Sequence, residues 1–143
     1  MPILVVSCGG GVAYALALLF LLSAGGKLIA LGQFHAFTSS IPWLPVSDSP
    51  LWLIMLVLTE LVICFLLLYP ATRKFGAISS FSLLLVFTSV LISASHTGVD
   101  VDCGCFGDFL PDSSPDTAIL RNVFFLVLSG VVASQTWAAP KEA

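Results

Sequence analysis

Four long apolar runs divide the chain, and few polar positions interrupt them. The first ends near Leu31 and has an uncharged core from Val12 to Gly26. The second runs from Leu51 to Tyr69 and contains one acid, Glu60. The third, Phe75 to Ser95, carries no charge, and the fourth, Ala118 to Trp137, has Arg121 near its start. A membrane-spanning helix needs about 20 mostly apolar residues, and each run is about that long. Barrel strands would instead alternate apolar and polar positions. Inside lipid the backbone must satisfy its own hydrogen bonds, so the runs read as helices. The pattern predicts an all-α membrane protein. It has four transmembrane helices, near 10–31, 51–69, 75–95 and 118–137, in one integral-membrane domain covering 1–143.

The segments between the runs add detail. Ile41-Pro42-Trp43-Leu44-Pro45 and Ser49-Pro50 precede the second span, where proline suits a helix start. Trp43 and Trp52 fit headgroup depth. Phe34, His35 and Phe37 read as a short amphipathic piece lying along the surface, with anchoring as its simplest role. The opening MPILVV lacks the basic residues of a secretory leader, and the apolar run outlasts a usual leader core. Val5-Val6-Ser7-Cys8 resembles a lipoprotein cleavage box but has no Lys or Arg before it. The first span is therefore expected to stay uncleaved, with Cys8 a small apolar residue.

Composition agrees with a lipid setting. Of 143 residues 58% are hydrophobic and 9% charged, against about 25% charged in a soluble domain. The net charge of −3 offers no basic patch for nucleic acid. Arg73 and Lys74 lie in the turn between the second and third spans, and Lys141 lies in the tail. The positive-inside rule then puts that turn and both termini in the cytoplasm. It puts the loops from Gly32 to Pro50 and from His96 to Thr117 outside. The second outer loop holds Asp100, Asp102, Asp108, Asp112 and Asp116 and no basic residue.

That loop also holds Cys103-Gly104-Cys105, in the run DVDCGCFGDF between the third and fourth helices. Thiols at i and i+2 close a disulfide only through a tight bend, which Gly104 permits. So small a ring is strained, and strain favours exchange over stapling. It also removes little chain entropy, so a purely structural disulfide would gain little. The outer compartment is where disulfides persist. Asp102 and Asp108 oppose a standing thiolate. His96, seven residues upstream, can act as proton acceptor. Cys103, Cys105 and His96 are the candidate catalytic residues. A metal role stays open as well: three ligands fall short of a zinc site, but two thiolates suit Cu(I).

Lys27, Glu60 and Arg121 are the charges within or beside the spans. Lys27 and Arg121 each lie about one turn from the outer side, where a long side chain can snorkel. Glu60 lies nine residues past Leu51, roughly 13 Å deep at 1.5 Å per residue. A carboxyl at that depth needs a proton or an inward-facing cation, and Lys27 or Arg121 can supply one. Cys64, one turn later, reads as apolar filler. Ser23, Ala24, Gly25 and Gly26 permit close helix approach. Ser79, Ser80, Ser82, Ser89, Ser93 and Ser95 either bond back to their own helix or line a polar path.

These strings resemble the MauE proteins of methylamine utilisation, within the wider DoxX-like group. The similar features are CGCFG after the third helix, SAGGKL at Ser23–Leu28, QFHAF at Gln33–Phe37, Glu60, and Arg121-Asn122 opening the fourth helix. CGCFG is the most specific of them. The resemblance implies a four-helix, redox-associated protein of the plasma membrane. It would support thiol–disulfide exchange or disulfide maturation of a secreted or periplasmic partner, in that family a subunit of methylamine dehydrogenase. By the same analogy the electron acceptor is a membrane quinone. Glu60, Lys27 and Arg121 are expected to shape either the bundle interior or a quinone headgroup site. Quinone-linked thiol oxidases of other families carry CxxC plus further loop cysteines, whereas this chain has one CxC. Two alternatives stand beside this reading: a non-catalytic assembly or docking factor, and a Cu(I)-handling membrane protein.

Overall fold

The computed structural model describes residues 2–41, 51–98 and 115–138. Among them the chain is entirely helical, in five helices: α1 (Pro2–Ile29), α2 (Leu31–Ser39), α3 (Leu51–Leu68), α4 (Arg73–His96) and α5 (Pro115–Ala138). Four of these are long and apolar enough to cross a membrane, within Gly10–Ile29, Leu51–Leu68, Arg73–His96 and Asp116–Trp137. This is a multi-pass membrane protein. Four crossings bring the start of α1, the α3–α4 turn and the end of α5 to one side, here called the turn side. They bring α2, the end of α4 and the start of α5 to the other, the cap side.

The helices pack as a ring in which α1 meets α3, α3 meets α4, α4 meets α5, and α5 returns to α1. Small residues make the close contacts of α1, with Ala13, Ala17 and Ala24 all buried. Gly25 has open space around it and plays no part in them. Long side chains such as Leu18, Leu22, Met55, Phe65, Val86 and Phe124 point outward. That is the expected arrangement when lipid, as apolar as the core, surrounds the bundle.

Two apolar layers fill the interior. The turn-side layer joins Ala13, Leu16 and Phe20 to Ile63, Cys64, Leu67, Leu84 and Val132. Cys64 is thus a packed apolar residue, as its depth suggested. The cap-side layer joins Phe34, Phe37 and Ile41 to Leu53, Leu56, Leu91 and Ala94. Here α2 departs from expectation. Its aromatic rings were read as surface anchors, yet Phe34 and Phe37 are buried, while Leu31, Gln33 and the small residues look outward and His35 is half-buried. The reason is the break at Ala30, with φ −104° and ψ 34°. Ala30 N still donates to Gly26 O at 2.9 Å, and Phe34 N donates to Ala30 O at 3.0 Å. The chain therefore bends without losing its backbone bonds, and α2 folds inward over α3 and α4.

On the turn side, the α3–α4 connection is held from several directions. Thr72 Oγ1 donates to Leu66 O at 3.1 Å, and Arg73 Nε donates to Leu67 O at 3.2 Å. The Arg73 guanidinium lies 5.3 Å from the Tyr14 ring, and Lys74 Nζ lies 3.8 Å from the Trp137 ring. These are cation–π contacts that tie the turn to α1 and α5.

The serines of α4 divide by position. Ser89 bonds back to Leu85 O. Ser80 crosses to α5, its Oγ 2.6 Å from Ser129 Oγ, and Ala77 O lies 2.9 and 3.1 Å from the two hydroxyls, so one serine donates to the other and the second donates to Ala77 O. Both serines are fully buried. Ser79 and Ser82 instead face a shallow apolar groove between α3 and α4. Interhelical hydroxyl bonds in membranes contribute about 0.6 kcal/mol on average and up to about 1.7. Ser129→Ala is expected to fall in that range in thermal unfolding from bilayer mimetics. Ser80→Ala/Ser129→Ala should lose less than the two single variants summed, because the hydroxyls share one bond.

Candidate functional site

A polar layer separates the two apolar ones, and its depth can be counted on the helices. Glu60 lies nine residues beyond Leu51 on α3, and Phe87 lies nine residues before His96 on α4. At 1.5 Å per residue both sit roughly 13 Å below the cap-side ends. Lys27 meets them there, two residues from the end of α1. Of the two readings open to Lys27, snorkelling to headgroups and pairing with Glu60, the structure takes the second. The cap-side part of the bundle above it is built by α2, not by α1, so Lys27 is enclosed, with 2% of its surface exposed.

Lys27 Nζ forms a buried ion pair with Glu60 Oε1. It also donates to Ser23 Oγ at 2.9 Å, and Ser23 Oγ donates to Glu60 Oε1 at 3.3 Å. Ser23 and Lys27 are four residues apart and therefore share one face of α1. The ammonium sits 4.9 Å from the centre of the Phe87 ring and 5.7 Å from that of Phe34. The two rings are themselves stacked at 6.2 Å. Bringing two charges out of water is expensive, and only a well-formed pair with additional partners offsets it. Here the hydroxyl and the two ring faces are those partners. Of the alternatives open to Glu60, the structure takes the inward cation, and takes it from Lys27.

Arg121 and Asn122 reach the same layer from the second turn of α5. With Ser23, Lys27 and Glu60 they line a cavity of about 30 Å³, walled by apolar side chains including Phe20, Leu84 and Phe87. Glu60 Oε2 is buried and has no hydrogen-bond partner among the described residues. The three charged residues singled out from sequence thus converge on one cavity. Ser23, Asn122 and the Phe34–Phe87 pair were not singled out for it. The i, i+4 relation of Ser23 to Lys27 was a legible sign of the first, but nothing in the sequence marked the rings.

The sulfur chemistry lies elsewhere. Cys103 and Cys105 fall in residues 99–114, outside the described residues. His96 is the last residue of α4 and is exposed on the cap side, well above the charged layer. Among the described residues no three His, Cys, Asp or Glu side chains come together as a metal centre would require.

The family model for methylamine utilisation protein MauE matches residues 2–135. A methylamine utilization protein MauE from Paracoccus denitrificans is 29% identical over 120 residues, which is 83% of this chain and 64% of that protein. The chain thus spans less than two thirds of the length of that relative. No solved structure matches the chain.

Proposed function

The chain belongs to the MauE family, and from that premise we propose that it serves methylamine utilisation as a membrane-held thiol–disulfide exchange protein. Cys103 and Cys105 are the exchanging pair. A secreted or periplasmic protein with its own thiols is the partner. The observation that carries this reading is the CGC string, placed by the chain order between α4 and α5. Four spans in this order support a connection on the side opposite Arg73 and Lys74. The positive-inside rule makes the Arg73–Lys74 side cytoplasmic, so the thiol pair faces the compartment where disulfides persist.

The exchange balances without a further reagent. A partner thiolate attacks one sulfur of the Cys103–Cys105 disulfide and displaces the other as thiolate. The second partner thiol then displaces the mixed disulfide. The partner gains one disulfide, and Cys103 and Cys105 are left as a dithiol carrying the two electrons. The small ring favours this direction, because a strained disulfide is the better oxidant. His96, exposed at the end of α4, is positioned to accept a proton on that side.

The test uses sealed vesicles and a chain with Cys8→Ser and Cys64→Ala, leaving only the loop pair. After mild reduction, a membrane-impermeant maleimide applied from the periplasmic face should add to both cysteines, and after oxidation to neither. Cys103→Ser should abolish the oxidised, protected form. A labelling pattern indifferent to redox state, or labelling solely from the cytoplasmic face, refutes the proposal. A partner complex that persists in Cys103→Ser/Cys105→Ser with full biological activity assigns the protein as a docking factor instead.

A further inference from the structure

The geometry points to a ligand for the charged cavity: water, one molecule or two, hydrogen-bonded to Glu60 Oε2 and bridging α3 to the Asn122 amide on α5. Four observations meet here. The first is the orphan oxygen. Oε1 takes both Lys27 and Ser23, while Oε2, on a side chain 4% exposed, takes nothing among the described residues. An unsatisfied buried oxygen costs about 1–3 kcal/mol, and more when it is charged.

The second is size. A water needs about 10–15 Å³ of such space, and the cavity offers about 30 Å³. The third is polarity. A buried water wants two to four polar partners, and Glu60, Asn122, Ser23, Lys27 and Arg121 all line this space. Dry cavities are lined by apolar groups alone, which excludes the empty alternative here. The fourth is depth. The cavity lies beside Phe87, whose ring stacks on Phe34 of α2, roughly 13 Å below the cap-side helix ends.

Lys27 and Glu60 are then a hydrated ion pair at mid-membrane depth. The water completes the coordination of the carboxylate that Lys27 alone leaves half-finished. It also couples α5 to the α1–α3 pair, which no direct hydrogen bond to Glu60 does.

Water-edited solid-state NMR in lipid bilayers tests this on the full chain. The sequence has two glutamates, Glu60 and Glu142, so selective ¹³C-glutamate labelling gives two carboxyl signals, and Glu142→Gln assigns the one that remains to Glu60. That signal should receive magnetisation from water protons. In Asn122→Leu, which fills the cavity and removes one partner, the transfer should be lost and the protein should unfold at lower temperature. Adding a short-chain quinone should leave the wild-type transfer unchanged. Three results overturn the inference: a Glu60 signal that stays dark while the exposed Ser95–Gly98 amides of a uniformly ¹⁵N-labelled sample respond, a stabilising Asn122→Leu, or a quinone that displaces the transfer. None of these readouts involves Cys103 or Cys105, so the thiol-exchange reading stands or falls separately.

Discussion

Lys27→Met is expected to destabilise the bundle by about 3–5 kcal/mol, the usual cost of leaving one member of a buried ion pair without its partner. For a chain of this size that corresponds to a fall of roughly 10–20 °C in melting temperature. The variant keeps the volume and the apolar stem of lysine, so packing against Phe34 and Phe87 is largely preserved and the loss isolates the charge. Glu60→Leu alone should be comparably harmful, because it strands the ammonium between Ser23 and two ring faces. The decisive comparison is the double variant Lys27→Met/Glu60→Leu. Replacing both members of a buried pair by apolar groups is often neutral or stabilising, so most of the loss should return. Thermal unfolding of all four proteins in the same bilayer mimetic measures the coupling. If the double variant is as unstable as the sum of the singles, the two side chains act independently, and the polar layer described here is not a unit.

The same pair shows what the sequence could and could not convey. Four apolar runs of spanning length were enough to give four membrane helices, because lipid leaves the backbone no alternative to helix or closed barrel. Glu60 was legible as a problem needing a solution, since an acid nine residues into such a run has no route to the surface. Which cation solves it was not legible. That depended on where α1 ends, and the end was set by the one-residue break at Ala30, a position with no proline or glycine to announce it. Once α1 stops at Ile29 and α2 turns inward, Lys27 lies level with Glu60 rather than near headgroups. The burial of Phe34 and Phe37 follows from the same bend. A strand of text spelling QFHAF reads equally well as an interfacial anchor or as a plug, and only the packing partners Leu53, Leu56 and Leu91 choose. The thiol pair is the opposite case: the exchange reading comes from its spacing alone, and Cys103 and Cys105 lie outside the described residues.

Gly76→Ala should produce a loss at a residue that sequence reading passed over. An added Cβ there would lie 2.8 Å from Leu67 N and 2.9 Å from Leu66 C, both backbone atoms at the end of α3. Backbone cannot swing aside as a side-chain tip can, and the segment is fixed further by Thr72 on Leu66 O and Arg73 on Leu67 O. Alanine is the better helix former by about 1 kcal/mol, so the substitution sets propensity against contact. Overpacking costs about 1–3 kcal/mol, and with nowhere for the methyl to go the contact term wins. Gly76→Leu should prevent α3 and α4 from closing and leave little folded protein. The controls run the other way. At Gly25 a Cβ meets nothing within 4 Å, and at Gly130 the nearest atom is a Phe81 ring carbon at 3.7 Å, ordinary contact. Alanine at either of these helical positions should be neutral or stabilising by up to about 1 kcal/mol. Three glycine-to-alanine changes in one bundle would then differ in sign, and unfolding measurements on the set separate close helix approach from helix propensity. A Gly76→Ala protein as stable as Gly25→Ala would show that α3 and α4 do not meet as closely as this packing requires.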